Sequence, residues 1–264
     1  MTQSAIKYED GEAYERGMGI WSQLAGQEFL GWLAPEPGLH WLDVGCGSGA
    51  FTELLARQCA PAEIQGLDPA EAQLDYARQR VGTRGAIFHQ GDAMALPFED
   101  GQFDAAVMAL VIFFVPDPSK GVAEMARVTR PGGTVSSYAW DFDGGGFPYE
   151  PIQAEMRAVG MTPPRPPSPD ASRTATLISL WESAGLEAVQ SSEIKVQRTF
   201  VDFEDFWSAS TGTGALKPTI SAMAQEDLAQ LKAKVKLGLG LKTDGPVSHE
   251  GRANVIQGRV PMAR

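Results

Sequence analysis

The sequence predicts an α/β fold: an open, doubly wound, mostly parallel sheet with helices on both faces. Three observations predict it. Between His40 and Trp140, short apolar runs alternate with stretches whose apolar residues recur at helical spacing. That is the rhythm of strand–helix–strand units joined by right-handed crossovers. Gly, Pro and Asp punctuate nearly every change of element. The 264 residues, 43% of them hydrophobic, suffice for one sizeable core, and no internal repeat divides them.

Residues 1–39 read as a helical arm, with Trp21, Leu24, Phe29, Leu30 and Leu33 supplying apolar contacts before Pro35, Pro37 and Gly38 interrupt. Residues 40–140 carry the alternating core, with strands expected at 41–44, 64–67, 86–89, 103–109 and 134–140. The fourth is apolar throughout and reads as buried on both faces. Residues 141–173 are expected to be an irregular insertion, framed by Gly144-Gly145-Gly146 and by the proline-rich stretch 163–167, a linker or lid. Leu177, Leu180, Trp181 and Ala184 then mark an amphipathic helix stopped by Gly185. Residues 189–200 read as a long strand and 255–260 as a short last one. Between them a helical lid insertion is expected at about 201–245, with helices at 202–208 and 224–237. The chain 1–264 is expected to form a single domain.

Lys and Arg number 22 against 33 Asp and Glu, a net charge of -11. Such a surface repels phosphate backbones and anionic membranes, so no nucleic-acid partner is expected. No stretch approaches the roughly 20 apolar residues of a membrane helix. The start lacks an apolar signal core, and two cysteines, Cys46 and Cys59, make no disulfide framework. The expectation is a cytoplasmic protein without membrane insertion. His40, His89 and His249 have no metal-ligand spacing, so no metal is expected.

The first strand runs into Gly45-Cys46-Gly47-Ser48-Gly49. Glycines there let the backbone turn sharply and approach a ligand, and the next helix offers free N–H groups. The spacing is Gly-x-Gly-x-Gly, not the Gly-x-Gly-x-x-Gly of dinucleotide sites. Asp43 stands two positions before Gly45, where a carboxylate repels a pyrophosphate but accepts from an ammonium, as in the methionine end of S-adenosylmethionine. Asp68 closes the second strand, where a carboxylate accepts from both ribose hydroxyls. Asp92 closes the third and can accept from an adenine amine. Three aspartates thus fall at three successive strand ends, along the edge where open α/β sheets bind ligands.

Leu42-Asp43-Val44-Gly45-Cys46-Gly47-Ser48-Gly49, Gly66-Leu67-Asp68-Pro69, Gly91-Asp92-Ala93-Met94-Ala95-Leu96-Pro97-Phe98, Phe103-Asp104 and Arg130-Pro131-Gly132-Gly133 resemble class I S-adenosylmethionine-dependent methyltransferases. They look most like the type 11 branch, which contains the ubiquinone and menaquinone methyltransferases. The resemblance covers residues 10–140 by motif and the rest by layout. It implies a Rossmann-like, seven-stranded sheet with an antiparallel last strand, S-adenosylmethionine as cofactor and S-adenosylhomocysteine as product. It also implies that Gly45 and Gly47 line the methionine moiety, Asp68 the ribose, and Pro69 and Gln73 the adenine, with Asp92 and Ala93 at its edge. Ala109 would offer its carbonyl to the ammonium.

Methyl transfer from a sulfonium needs alignment first and a general base only when the nucleophile arrives protonated. No catalytic residue is singled out. Related enzymes often carry a His-His pair after strand four, whereas this chain has Phe113-Phe114, an apolar wall or simply core. Tyr14, Trp21, Trp140 and Trp207 join them as candidate pocket residues, in segments that cover the active site in this fold. Residues 14–22 resemble the arm that closes over the cofactor in type 11 enzymes. The acceptor is expected to be a small, partly apolar molecule. The competing readings are a cofactor-binding regulatory protein without transferase activity and an NAD-dependent oxidoreductase, which lacks its glycine spacing here.

Overall fold

The apolar runs of the core become β1 (His40–Val44), β2 (Glu63–Asp68), β3 (Ile87–Gln90), β4 (Phe103–Ala109) and β5 (Thr129–Trp140), followed by β6 (Glu187–Phe200) and β7 (Val247–Arg259). The computed structural model describes residues 15–212, 214, 216–241 and 245–262. One sheet holds all seven strands in the order β3-β2-β1-β4-β5-β7-β6. β1 pairs in parallel with both β2 and β4, so the winding reverses beside it, and a ligand crevice opens at the carboxyl ends there. β7 runs antiparallel to both neighbours, β5 and β6. The Rossmann-like sheet with its reversed last strand is the one the family resemblance implies.

Three strands depart from expectation, β5 by starting at Thr129 and not at 134. β7 begins at Val247 and pairs with β6 from Phe200↔Val247 to Glu187↔Arg259, making a long ribbon where a short strand was expected. The polar stretch 247–254, interrupted by Gly251, gains its strand form from this pairing and not from its own propensity. β3 ends at Gln90, and Asp92 lies just beyond it in a turn whose bridge pairs Asp92 with Ala95.

α1 (Ile20–Leu33) follows a π turn at Glu15–Gly19 and forms the arm. α2 (Ala50–Gln58), α3 (Glu71–Gln79) and α4 (Pro118–Val128) follow β1, β2 and β4. α1 packs on α2, and α4 packs on α6 (Thr174–Ser183). α6 ends in the αL turn its glycine announced: Gly185, at φ 78°, donates to Glu182 O, and Leu186 donates to Trp181 O.

The insertion at 141–173 is not irregular throughout. Glu150–Ala158 forms helix α5, burying Ile152 and Met156 four residues apart, with Pro151 in its first turn, where its missing N–H costs nothing. α7 (Phe203–Thr211), α8 (Leu216–Ser221) and α9 (Gln225–Gly238) fill the later insertion, α7 packing on the arm and α9 on α5. Among the described residues, no helix is long and apolar enough to cross a membrane.

Candidate active site

The carboxyl ends of β1, β2 and β4 open into a cavity of about 1180 Å³. Its floor is set by register. Asp43 pairs with Gly66 and Asp68 with Gln90, so both carboxylates stand at one edge of the sheet. Gly45 and Cys46 donate their N–H groups to Leu67 O at 2.7 and 3.0 Å, folding the glycine turn onto the end of β2. Arg80 Nε donates to Ser48 O at 3.0 Å and ties down the far side of the turn.

Glycine is required at two points of this turn. Gly45 sits at φ 78°, and a Cβ there would lie 2.5 Å from Val111 Cγ1. Gly47 sits at φ 51°, and its Cβ would meet nothing nearer than Gln73 Oε1 at 4.0 Å. A side chain at Gly47 would therefore fill the cavity itself, and its absence leaves room for a ligand against the backbone.

Asp43 is completely buried. Its Oδ2 accepts from Thr52 Oγ1 at 2.7 Å, while Oδ1, equally buried, has no hydrogen-bond partner. Burial pushes its pKa up to about 7, against the Thr52 hydroxyl, which pulls it down, and with the Asp68 charge adding to the rise. A buried oxygen left without a donor costs about 1–3 kcal/mol, more when charged, so this atom is built to receive one.

Asp68 is half-buried, and its Oδ2 accepts from Gly47 N at 3.0 Å and its Oδ1 from Ala70 N at 2.9 Å. Burial raises its pKa, against these two N–H donors. A carboxylate has about four acceptor positions, so each oxygen keeps one. Asp92 Oδ1 accepts from Met94 N at 2.8 Å and holds its own turn, with the residue at the cavity edge.

Nine of the ten residues expected around the cofactor line this one cavity: Asp43, Gly45, Gly47, Asp68, Pro69, Gln73, Asp92, Ala93 and Ala109. Gly49 does not. At φ 79° it starts α2, and a Cβ there would meet Ala77 Cβ at 3.1 Å, so its role is helix packing.

The expected pocket aromatics divide. Phe114 lines the cavity, whereas Phe113, 2% exposed, packs tilted behind it with centroids 4.7 Å apart and meets Phe142 edge-on. The pair is thus wall and core at once. Trp21, Trp140 and Trp207 are corrections: all three are buried packing residues away from the cavity. Trp21 packs on Phe200 and His249, and Trp207 packs on Phe203 beneath the Lys232 ammonium. Large rings gain most from full burial, and these reached the core. Tyr14 lies outside the described residues.

Sequence reasoning did not single out several walls. Ser22 and Gln23 come from α1, and Leu110, Val111, Val115 and Pro116 from the turn after β4. Leu110 adopts φ 60°, a left-handed conformation that costs a bulky residue about 1–3 kcal/mol. Tyr138 reaches in from β5. The roof is the stretch 162–167, whose prolines were the one visible signal. It is tied over the turn after β4 by Ser168, which donates from Oγ to Val115 O at 2.8 Å and from N to Phe113 O at 3.0 Å. No residue of the later insertion lines the cavity among those described. Cys46 lines it too, but burial drives its thiol pKa far up, which leaves it neutral and unreactive.

Residues 42–137, which hold the floor of the cavity, match the family model described as a methyltransferase domain. The chain carries a methyltransferase domain. The chain is 41% identical across 100 residues to the fatty-acid O-methyltransferase of Mycolicibacterium smegmatis, covering 38% of this chain and 36% of that one. It is 39% identical across 107 residues to the demethylmenaquinone methyltransferase of Desulfitobacterium hafniense, covering 39% and 42%. The chain spans between 33% and 49% of the length of the curated relatives it matches. The fold extends the likeness beyond the methyltransferase domain. It superimposes with a TM-score of 0.58 and 16% identity on Haemonchus contortus phosphoethanolamine N-methyltransferase 2, solved with phosphomonomethylethanolamine and S-adenosylhomocysteine, covering 95% of this chain and 57% of that one.

Proposed function

We propose that this chain transfers a methyl group from S-adenosylmethionine to a small, partly apolar acceptor by in-line displacement. The observation that carries the reading is Asp43 Oδ1, a buried carboxylate oxygen without a donor at the wall of the cavity. An ammonium satisfies it; a pyrophosphate would meet Asp43, Asp68 and Asp92 together and be repelled.

In this reading Asp43 and the Ala109 carbonyl hold the ammonium, and the open backbone at Gly47 accepts the methionine chain. Asp68 takes the ribose hydroxyls on its two remaining acceptor positions while it keeps Gly47 and Ala70 in place. Pro69, Gln73, Asp92 and Ala93 flank the adenine. When bound, S-adenosylmethionine supplies a methyl already activated on a sulfonium. The protein adds alignment, worth up to about 7–11 kcal/mol in favourable cases, and a roof that keeps water out. The cavity exceeds the roughly 300–1,000 Å³ of ordinary ligand sites, leaving space for an acceptor beside the cofactor. That space favours a transferase over a protein that only binds the cofactor. Phe114, Val111 and the roof prolines give the remaining space apolar walls, and the names of the two relatives, a fatty-acid and a demethylmenaquinone methyltransferase, support an apolar acceptor.

Calorimetric titration with S-adenosylmethionine, S-adenosylhomocysteine and NAD tests the cofactor. Binding of both sulfur nucleotides and none of NAD is expected. Folded protein that binds neither sulfur nucleotide would overturn the reading.

A further inference from the structure

The titratable side chains that line the cavity are Asp43, Asp68, Asp92, Cys46, Tyr138 and Arg165 among the described residues. If the three aspartates serve the cofactor, none of the others takes a proton near neutral pH. Cys46 is held as a thiol, Tyr138 is a phenol 1% exposed, and Arg165 is a cation. Among the described residues, the lining outside the three aspartates therefore offers no general base. A nucleophile that enters protonated would stay protonated.

Among the described residues, Arg165 is the single cation of the lining, in a chain whose net charge is -11. It belongs to the roof, three residues before Ser168, which ties the roof to the turn after β4. Asp143 Oδ1 accepts from Arg165 Nη2 at 2.7 Å. Asp143 is shared with Arg173, which also meets Asp170 at 3.3 Å, whereas Arg165, among the described residues, has Asp143 alone, and its remaining N–H groups are left for a further acceptor. The side chain is 52% exposed, which puts it at the mouth, where an entering anion meets it first.

Resting on the methyl-transfer reading above, we propose that the acceptor is an apolar carboxylic acid, drawn in and oriented by Arg165 and methylated on its carboxylate. Such an acid enters already ionised, so the missing base is not missed. One carboxylate oxygen forms the new O–CH3 bond as the S–CH3 bond breaks. The electron pair of that bond leaves on sulfur, the products are a methyl ester and S-adenosylhomocysteine, and no proton moves. The walls at Phe114, Val111 and Pro163 take the hydrocarbon.

The test uses the full chain saturated with S-adenosylhomocysteine, whose own titration reports separately on the cofactor reading. Dodecanoate, below its micelle concentration, and 2-naphthoate are then titrated calorimetrically beside dodecanol and dodecylamine. The acids are expected to bind more tightly than the alcohol and amine. Arg165→Gln should raise their Kd about ten- to a hundredfold, as loss of a charge-assisted hydrogen bond does, while the S-adenosylhomocysteine Kd stays at wild type. Arg165→Lys should recover part of the loss. With S-adenosylmethionine, methyl esters should form from the acids and nothing from the alcohol or amine. The proposal is overturned if neither acid binds the loaded protein, if Arg165→Gln binds them like wild type, or if the alcohol or amine is methylated as fast. Failure to bind S-adenosylhomocysteine would instead sink the methyl-transfer reading itself.

Discussion

Asp43 sits where a carboxylate is least comfortable: wholly buried, with one oxygen on Thr52 and the other empty-handed. A residue kept for folding alone would be better served by an amide or an apolar side chain. Asp43→Asn should therefore separate function from stability. The variant should unfold in urea at pH 8 no earlier than wild type, yet bind S-adenosylmethionine at least about thirtyfold more weakly, the lower end of losing a buried charge pair. Normal affinity in a stable Asp43→Asn protein would remove Asp43 from the site. At this scale the sequence was most readable where position alone defines a role. Asp43, Asp68 and Asp92 were visible because strand ends in such a sheet face the ligand whatever surrounds them. Trp21, Trp140 and Trp207 were not, because a ring's sequence position does not say whether its face meets a ligand or another ring.

Among elements, α1 shows how closely the arm is fitted to the site. A Cβ at Gly26 would lie 2.8 Å from Leu54 Cδ2 and 3.2 Å from both Phe51 Cδ2 and Tyr138 Oη, so the α1 backbone lies directly on side chains of α2 and β5. The preceding turn of α1 puts Ser22 and Gln23 on the cavity wall. Gly26→Leu should force α1 outward, cost about 1–3 kcal/mol in a urea titration, and weaken S-adenosylhomocysteine binding in the same protein. Stability lost without any change in affinity would mean that the arm does not close the site. The core strands β1 to β5 were legible because apolar runs between Gly and Pro signals can be little else. α5 was hidden by the glycines and prolines on either side, although Ile152 and Met156 carry helical spacing. The first half of β7 was hidden because its partner, not its sequence, makes it a strand.

For the whole molecule, the buried carboxylate couples folding to pH. Asp43 has a folded pKa of about 7 against 3.8 when free, so the native state binds a proton that the unfolded chain releases. Its contribution is fully present below about pH 4 and is lost as pH rises towards 7, at about 1.4 kcal/mol per unit. Asp68, also raised by burial, acts in the same direction. His249, whose pKa burial lowers, works oppositely: its share is lost as pH falls below 6.5. Hence the cleanest measurement is a difference. Urea midpoints of the cofactor-free protein between pH 5 and 8 should fall more steeply with pH in wild type than in Asp43→Asn. Parallel curves would show that Asp43 titrates normally. Cofactor affinity should run the other way, rising with pH up to about 7, because the ammonium needs the ionised carboxylate.

The pair Phe200↔Val247 closes the β6–β7 ladder at the point where the chain leaves for residues 201–246 and returns. Entry and exit are thus one strand spacing apart, fixed by the sheet whatever lies between. A segment anchored in this way can be lengthened, shortened or exchanged at small entropic cost, since loop closure depends only weakly on length. The ribbon is a socket: α7 to α9 leave and rejoin the sheet at its far edge, and not through the strands that carry Asp43 and Asp68.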